Sequence, residues 1–406
     1  MSPSERSVGA KLSVMMFLEF FVWGSWYVTV GNYMQAHDMG DSIYWAYTVG
    51  PLAAIVSPFF LGMVADRYFS TEKVLGVMHL LGAAAMFLVP STEGSGLLIA
   101  LLLIHMLCYM PTLGLTNTLA FHNIQNQERQ FPIIRVFGTL GWIAANIVVS
   151  KWLHADREAV QFYVTGGAGL ALGLYSFALP HTPPPARGRT IRVGEILGLD
   201  ALKRLSSPSF LVFLVCSFLI CIPLAAYYNY APLFAGAVGF DDPAYNLSFG
   251  QMAEVLFMLI MPLCFRRLGV KWMLSIGMAA WVVRYGLFSA AATDGVMWMV
   301  MTGILLHGIC YDFFFVTGQI YTDQQASPEI RGQAQGLLVL VTQGLGLLIG
   351  AQVAGWLYNR LVSGEGEALR QSYRVFWLVP CIMAGVVLVV FALAFRDRTV
   401  RNRSES

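Results

Sequence analysis

Residues 209–236 read SFLVFLVCSFLICIPLAAYYNYAPLFAG, 28 positions without one Lys, Arg, Asp or Glu. An α-helix needs about 20 such residues to cross roughly 30 Å of hydrocarbon, so this stretch can span a bilayer with turns to spare. Comparable stretches recur along the whole chain. They place helices at about 11–34, 43–65, 73–90, 97–120, 132–152, 160–180, 209–236, 247–266, 271–292, 296–322, 332–358 and 372–396. The chain has 406 residues, 57% apolar and 12% charged, where an ordinary soluble domain carries about 25% charged residues. Twelve spans use about 240 residues, which leaves short connections, short tails and no sizeable soluble domain. The sequence therefore predicts an all-α membrane protein with twelve transmembrane helices, embedded in a lipid bilayer.

Just before the quoted stretch lies the longest connection, 181–208, which opens HTPPPARGRT and ends KRLSSP. Rich in Pro, Arg and Ser, it divides the chain into an N-terminal six-helix bundle at 1–180 and a C-terminal one at 209–396, with a tail at 397–406. Two such halves joined by a basic linker are the sequence form of a transporter built from repeats, with its substrate expected between them near mid-membrane. Orientation follows from Lys and Arg, which cytoplasmic loops retain. With the N-terminus inside, 18 of the 25 fall on cytoplasmic segments, five on the other side, and Arg135 and Arg284 within helices. Both termini are thus expected in the cytoplasm. The polar segment 1–10 runs into a full span with no small-residue cleavage site, so the first helix is expected to be retained.

Composition excludes several classes. A net charge of +2 with dispersed basic residues argues against nucleic-acid binding. The six cysteines fall in or beside apolar segments with no CxxC or Cys/His metal spacing, and read as reduced thiols. No HExxH, GxSxG or paired intramembrane aspartate motif suggests a membrane-embedded enzyme, and no metal or cofactor is expected. Gly166, Gly167, Gly169, Gly173, Gly346 and Gly350 lack a preceding strand and read as helix-packing positions, not nucleotide loops. Pro51, Pro58, Pro111, Pro223, Pro232 and Pro262 lie inside spans, where each removes a backbone donor and permits a kink.

A charge at the bilayer centre costs at least ~2.5–3.5 kcal/mol on insertion scales, so each one inside a span is a candidate for function. Five qualify: Glu19, Arg135, Glu254, Arg284 and Asp312. Arg135, Thr139 and Trp142 share one face of the fifth span and offer a guanidinium fork, a hydroxyl and an aromatic plane, equipment for a polyhydroxylated ring compound. Gln251 and Glu254 stand at i, i+3 in the eighth. His307 and Tyr311 stand at i, i+4 in the tenth, with Asp312 directed elsewhere round the helix. Burial raises a carboxyl's proton affinity and a nearby cation lowers it. Glu254 or Asp312 could thus load a proton on one side of the membrane and release it on the other, and Glu19 could be a further proton carrier. The structural alternative is a static pair, Glu254 with Arg284 for example. His79, His105 and His122 read as core or interface histidines, and Tyr228 is the member of the run Tyr227, Tyr228, Asn229, Tyr230 chosen to face the bundle interior.

Several strings resemble known sequences. GMVADRYFSTEK at 62–73 is similar to the loop signature of the major facilitator superfamily. Across both halves, WGSW at 23–26, YMPTLGL at 109–115, IRVFGTLGW at 134–142, LGLDA at 197–201, QMAEVLF at 251–257 and YDFFF at 311–315 resemble the bacterial nucleoside:proton symporters. The resemblance implies a major facilitator fold, location in a bacterial inner membrane, a nucleoside substrate, protons as the coupling ion and a monomer. It assigns Arg135, Thr139, Trp142, Gln251, Glu254, Tyr311 and Asp312 to the nucleoside site, and Asp66, Arg67 and Lys73 to the gate loop. This chain departs from the family in the seventh span, where Ala225 and Tyr228 replace Gln and Asn. It departs also at His307, which replaces Tyr, and at Glu19, which replaces a neutral polar residue. The departures leave open a sugar or another glycosylated solute as cargo.

Overall fold

The computed structural model describes residues 3–60, 69–184, 194, 198–327 and 329–396. The gate-loop residues Asp66 and Arg67, most of the basic linker and the tail from 397 lie outside the described residues. The described residues are helical with no strand. The chain divides into two compact units, Met1–Arg192 and Val193–Ser406.

In the first unit the helices are α1 (Pro3–Gly24), α2 (Val30–Ala36), α3 (Ile43–Phe60), α4 (Thr71–Leu88), α5 (Ser95–Asn123), α6 (Gln127–Asn146) and α7 (Val160–Ser176). The expected single helix at 11–34 is instead two. WGSW ends α1, a run of turns follows, and α2 resumes the path. Thr29, in that turn, donates to Gln161 Oε1 at 2.7 Å, tying the break to the start of α7. α6 starts at a cap its sequence supplies, Asn126 Oδ1 accepting the Arg129 N–H at 3.0 Å, and ends in a π-helical stretch, Ile147–Trp152. α1 packs on α6 and α7, α3 on α5, and α4 on both α5 and α7. Leu12, Met15 and Met16 of α1 are buried with Leu75, Leu119, Ile134 and Leu172 at their meeting point.

The second unit contains α8 (Leu199–Arg204), α9 (Pro208–Ala237), α10 (Pro243–Ala292), α11 (Met297–Leu305), α12 (His307–Tyr311), α13 (Thr317–Gln325), α14 (Arg331–Val339), α15 (Leu347–Leu361) and α16 (Gly366–Ala394). α9 opens on Pro208 with Ser207 capping the Phe210 N–H at 3.3 Å. α10 is two rods: at Gly269 the backbone takes φ 70° and ψ 177°, a region essentially reserved for glycine, and the chain changes direction where 266 and 271 were expected to bound two spans. π-helical turns join α12 to α13 at Asp312–Val316 and α14 to α15 at Leu340–Gly346. α9 lies against α15 and α16, and α10 against α11, α12 and α16.

Nine helical stretches of the described residues are long and apolar enough to cross a membrane. Side chains on the outer surfaces fit that medium: Leu259 and Leu393 are 76% and 78% exposed, a cost in water and none in hydrocarbon. The glycine expectation holds at five of six positions. A Cβ on Gly166, Gly169, Gly173, Gly346 or Gly350 would press on a neighbouring helix, whereas Gly167 faces open space. The six cysteines are free thiols, three of them buried.

Candidate functional site

Each unit carries a polar centre inside its own packing. In the first unit it is organised by the crossing of α1 over α6, which the glycines of IRVFGTLGW make close. A Cβ on Gly138 would stand 2.7 Å from the Phe20 ring, and one on Gly141 would overlap the backbone carbonyl of Phe17. The close approach lets the Arg135 guanidinium lie over the Phe20 ring, 4.3 Å from its centroid. Arg135, Thr139 and Trp142 are all half-buried on α6, the common face expected for them. Trp142 meets Trp23 of the WGSW string edge to face at 5.4 Å, and Tyr27 lies 6.2 Å from Trp142. The indole N–H groups of Trp23 and Trp142 have no hydrogen-bond partner among the described residues. The result is an aromatic corner with a cation at its edge and spare donors, suited to a flat ring carrying acceptors.

Glu19 is placed otherwise than its sequence neighbours suggest. It is fully buried, and both carboxylate oxygens are engaged: Oε2 lies 2.8 Å from His79 Nε2, and Oε1 accepts from the Thr112 hydroxyl at 2.6 Å. The Tyr109 hydroxyl donates to the Glu19 backbone carbonyl at 2.9 Å. Tyr109 and Thr112 are the first and fourth residues of YMPTLGL. His79 is thus a buried interface histidine satisfied by a carboxylate, and His105 is buried with its Nδ1 3.1 Å from the Gly82 carbonyl and its ring stacked on Tyr109. Lys73 is exposed in the first turn of α4. One residue earlier, Glu72 is buried and accepts from the Thr182 N–H at 3.0 Å and from His181 at 2.9 Å, closing the start of α4 onto the strand of chain that leaves α7.

In the second unit the centre forms where the first rod of α10 meets α12. Gly250 and Gly308 permit this contact: a Cβ on Gly308 would sit 2.8 Å from the Glu254 Cα, and one on Gly250 would sit 3.0 Å from the His307 Cβ. Gln251 and Glu254 are half-buried on α10. Glu254 Oε2 lies 3.9 Å from His307 Nε2, beyond a hydrogen bond and within Coulomb reach. His307 is buried and stacks on Tyr311 at 5.9 Å, the i, i+4 contact expected, and on Tyr227 of α9 at 5.6 Å. Tyr228, the residue singled out from sequence, is half-buried and meets His307 edge to face at 6.4 Å.

Two charges in this centre are fully buried. Asp312 is 0% exposed at the first residue of the π-helical turn, and neither carboxylate oxygen has a hydrogen-bond partner among the described residues. Single π turns inside α-helices recur at functional sites. Arg284 is likewise 0% exposed. It forms no ion pair with Glu254 among the described residues. Its Nε donates to the Gly303 carbonyl at 3.0 Å, its guanidinium covers the Tyr227 ring at 4.2 Å, and its two terminal nitrogens have no hydrogen-bond partner among the described residues. Tyr227, and not Tyr228, is thus the residue that joins Arg284 to His307. Periodicity could not rank four consecutive polar and aromatic residues; the arginine on α10 that selects among them is 57 positions away.

The described residues contain no His, Cys, Asp and Glu grouping that could hold a metal.

A profile of the nucleoside H+ symporter family matches residues 6–400. The chain is 36% identical over 399 residues to a putative nucleoside transporter, YegT, of Escherichia coli K12, covering 96% of this chain and 94% of that one. It is 30% identical over 408 residues to the xanthosine permease of the same organism, covering 96% of each. The crystal structure of the nucleoside transporter NupG superposes with a TM-score of 0.86 at 27% identity, over 96% of this chain and 100% of that one.

Proposed function

From its membership of the nucleoside H+ symporter family, to which this chain belongs, we propose that it carries a nucleoside inward with protons, by alternating access, across a bacterial inner membrane. The chain is a multi-pass transporter of major facilitator architecture and not an enzyme. The observation that carries the reading is the extent of the match, 6–400 of 406 residues.

We assign substrate contact to Arg135, Thr139 and Trp142 in the first unit, and to Tyr228, Gln251, Glu254, His307, Tyr311 and Asp312 in the second. Hydroxyls of a ribose match the carboxylates, the guanidinium and the amide, and a base matches the tryptophan and tyrosine rings. Asp312 is the principal proton carrier. It is fully buried, and neither of its carboxylate oxygens has a hydrogen-bond partner among the described residues. Glu254, within Coulomb reach of His307 and on the opposing helix, is its neighbour in that task. The chain is read as twelve spans with both termini cytoplasmic, in six-helix halves at 1–180 and 209–396, acting as a monomer.

Uptake of labelled uridine or adenosine by cells expressing the protein, with and without an uncoupler, tests the assignment. Accumulation that collapses with the uncoupler and is competed by nucleosides supports it. No competition by any nucleoside in a panel, with uptake of a sugar instead, would overturn it.

A further inference from the structure

We propose that Glu19 and His79 form a second proton-carrying site, enclosed in the first unit, so that each nucleoside enters with two protons instead of one. The proposal rests on the nucleoside reading above and deepens it.

The pair is built, not incidental. Glu19 is 0% exposed and His79 3% exposed, yet every carboxylate oxygen has a partner: His79 Nε2 at 2.8 Å and the Thr112 hydroxyl at 2.6 Å. Three helices supply the parts, α1, α4 and α5. Among the described residues the titratable groups beside the pair are Tyr109, whose ring is 6.0 Å from His79, and His105, which stacks on Tyr109, both on α5. From α6 comes Arg135, past Phe20. α7 meets the His79 backbone through Gly169 and brings no charge there.

Loaded, an imidazolium donates Nε2–H to the carboxylate and the pair is neutral. On release the Nδ1–H bond breaks, the proton passes to water as hydronium, and Nε2–H remains on the carboxylate; the pair now carries one negative charge. Because the pair is shut away from solvent in this structure, its proton can exchange only when water reaches it. The link to cargo runs along α1. Phe20, next to Glu19, lies under Arg135, while Tyr109 holds the Glu19 carbonyl and meets Trp23 at 5.6 Å, which in turn meets Trp142 at 5.4 Å. A ligand seated against Arg135 and Trp142 therefore bears on the helix that carries the carboxylate.

The test uses the purified full chain in proteoliposomes, wild type against Glu19→Gln and His79→Gln. Nucleoside exchange without a gradient and protons moved per nucleoside under an imposed gradient are both read. Two protons are expected for the wild type and one for each variant, with exchange persisting, so that the accumulation a fixed proton-motive force sustains falls to its square root. A wild-type ratio of one, or a ratio of two unchanged in Glu19→Gln, overturns the proposal. If both variants lose exchange, Glu19→Asp must restore it with two protons; failure there assigns the pair to folding alone and also overturns the proposal. If the wild type exchanges no nucleoside, the substrate reading fails separately. The pair is then judged from proton release by the purified protein after a pH jump, which Glu19→Gln must lower by one proton.

Discussion

Asp312 and Arg284 are both fully buried charges, and their surroundings predict opposite behaviour on substitution. Asp312 has no hydrogen-bond donor to satisfy it among the described residues, so Asp312→Asn should fold and exchange nucleoside while accumulation against a gradient falls. Labelled uptake into proteoliposomes with an imposed pH gradient checks this, and undiminished accumulation would remove Asp312 from coupling. Arg284 is held by one carbonyl and one ring. Replacing a buried charge by an apolar group of similar volume is often neutral or stabilising by about 1–4 kcal/mol, whereas removing only its partner costs about 3–5 kcal/mol. Arg284→Met is therefore expected to keep or raise the unfolding temperature in detergent, and Tyr227→Ala to lower it sharply. Equal losses in both would mean that the guanidinium itself is needed for folding. Trp142 acts by its ring: Trp142→Ala should weaken nucleoside binding about 2- to 12-fold, as expected for the loss of ~0.5–1.5 kcal/mol of stacking, and Trp142→Phe should recover most of it.

The polar side chains meet only because particular helices touch backbone to backbone. α1 crosses α6 at Gly138 and Gly141, and the first rod of α10 crosses α12 at Gly250 and Gly308. These glycines stand within or beside the strings that carry the family resemblance, so those strings encode helix contacts as much as ligand contacts. Gly141→Ala places a methyl against the Phe17 carbonyl and should cost about 1–3 kcal/mol by overpacking, read as a fall in unfolding temperature. An unchanged temperature with unchanged transport would show that α1 can move away freely. The break of the first span at WGSW was not legible as a helix pattern, because the apolar run continues through it. It is set by contacts, Trp23 against Trp142 and Thr29 with Gln161.

For the whole molecule, each proton crossing ~100 mV releases ~2.3 kcal/mol, which multiplies the sustainable accumulation on the order of 50-fold per proton carried. The charge bias of the loops predicts the orientation in which that work is done. In a cysteine-free background, Ser327→Cys should react with a membrane-impermeant thiol reagent only from the cytoplasmic face, and Ser363→Cys only from the other. Labelling of both from one side would refute the N-in, C-in topology. The all-helical membrane class, the helices and the polar residues on them could be read from the sequence. Hydrophobic length and charge placement are local quantities set by transfer between water and hydrocarbon. Which groups are partners could not be read in that way. Glu19 with His79 and Thr112, Arg284 with Tyr227 instead of Glu254, and Asp312 without a donor among the described residues are decisions of tertiary structure, because a buried charge is satisfied by whatever neighbouring helices bring within about 3–4 Å, and that neighbour is set by how backbones pack and not by sequence distance.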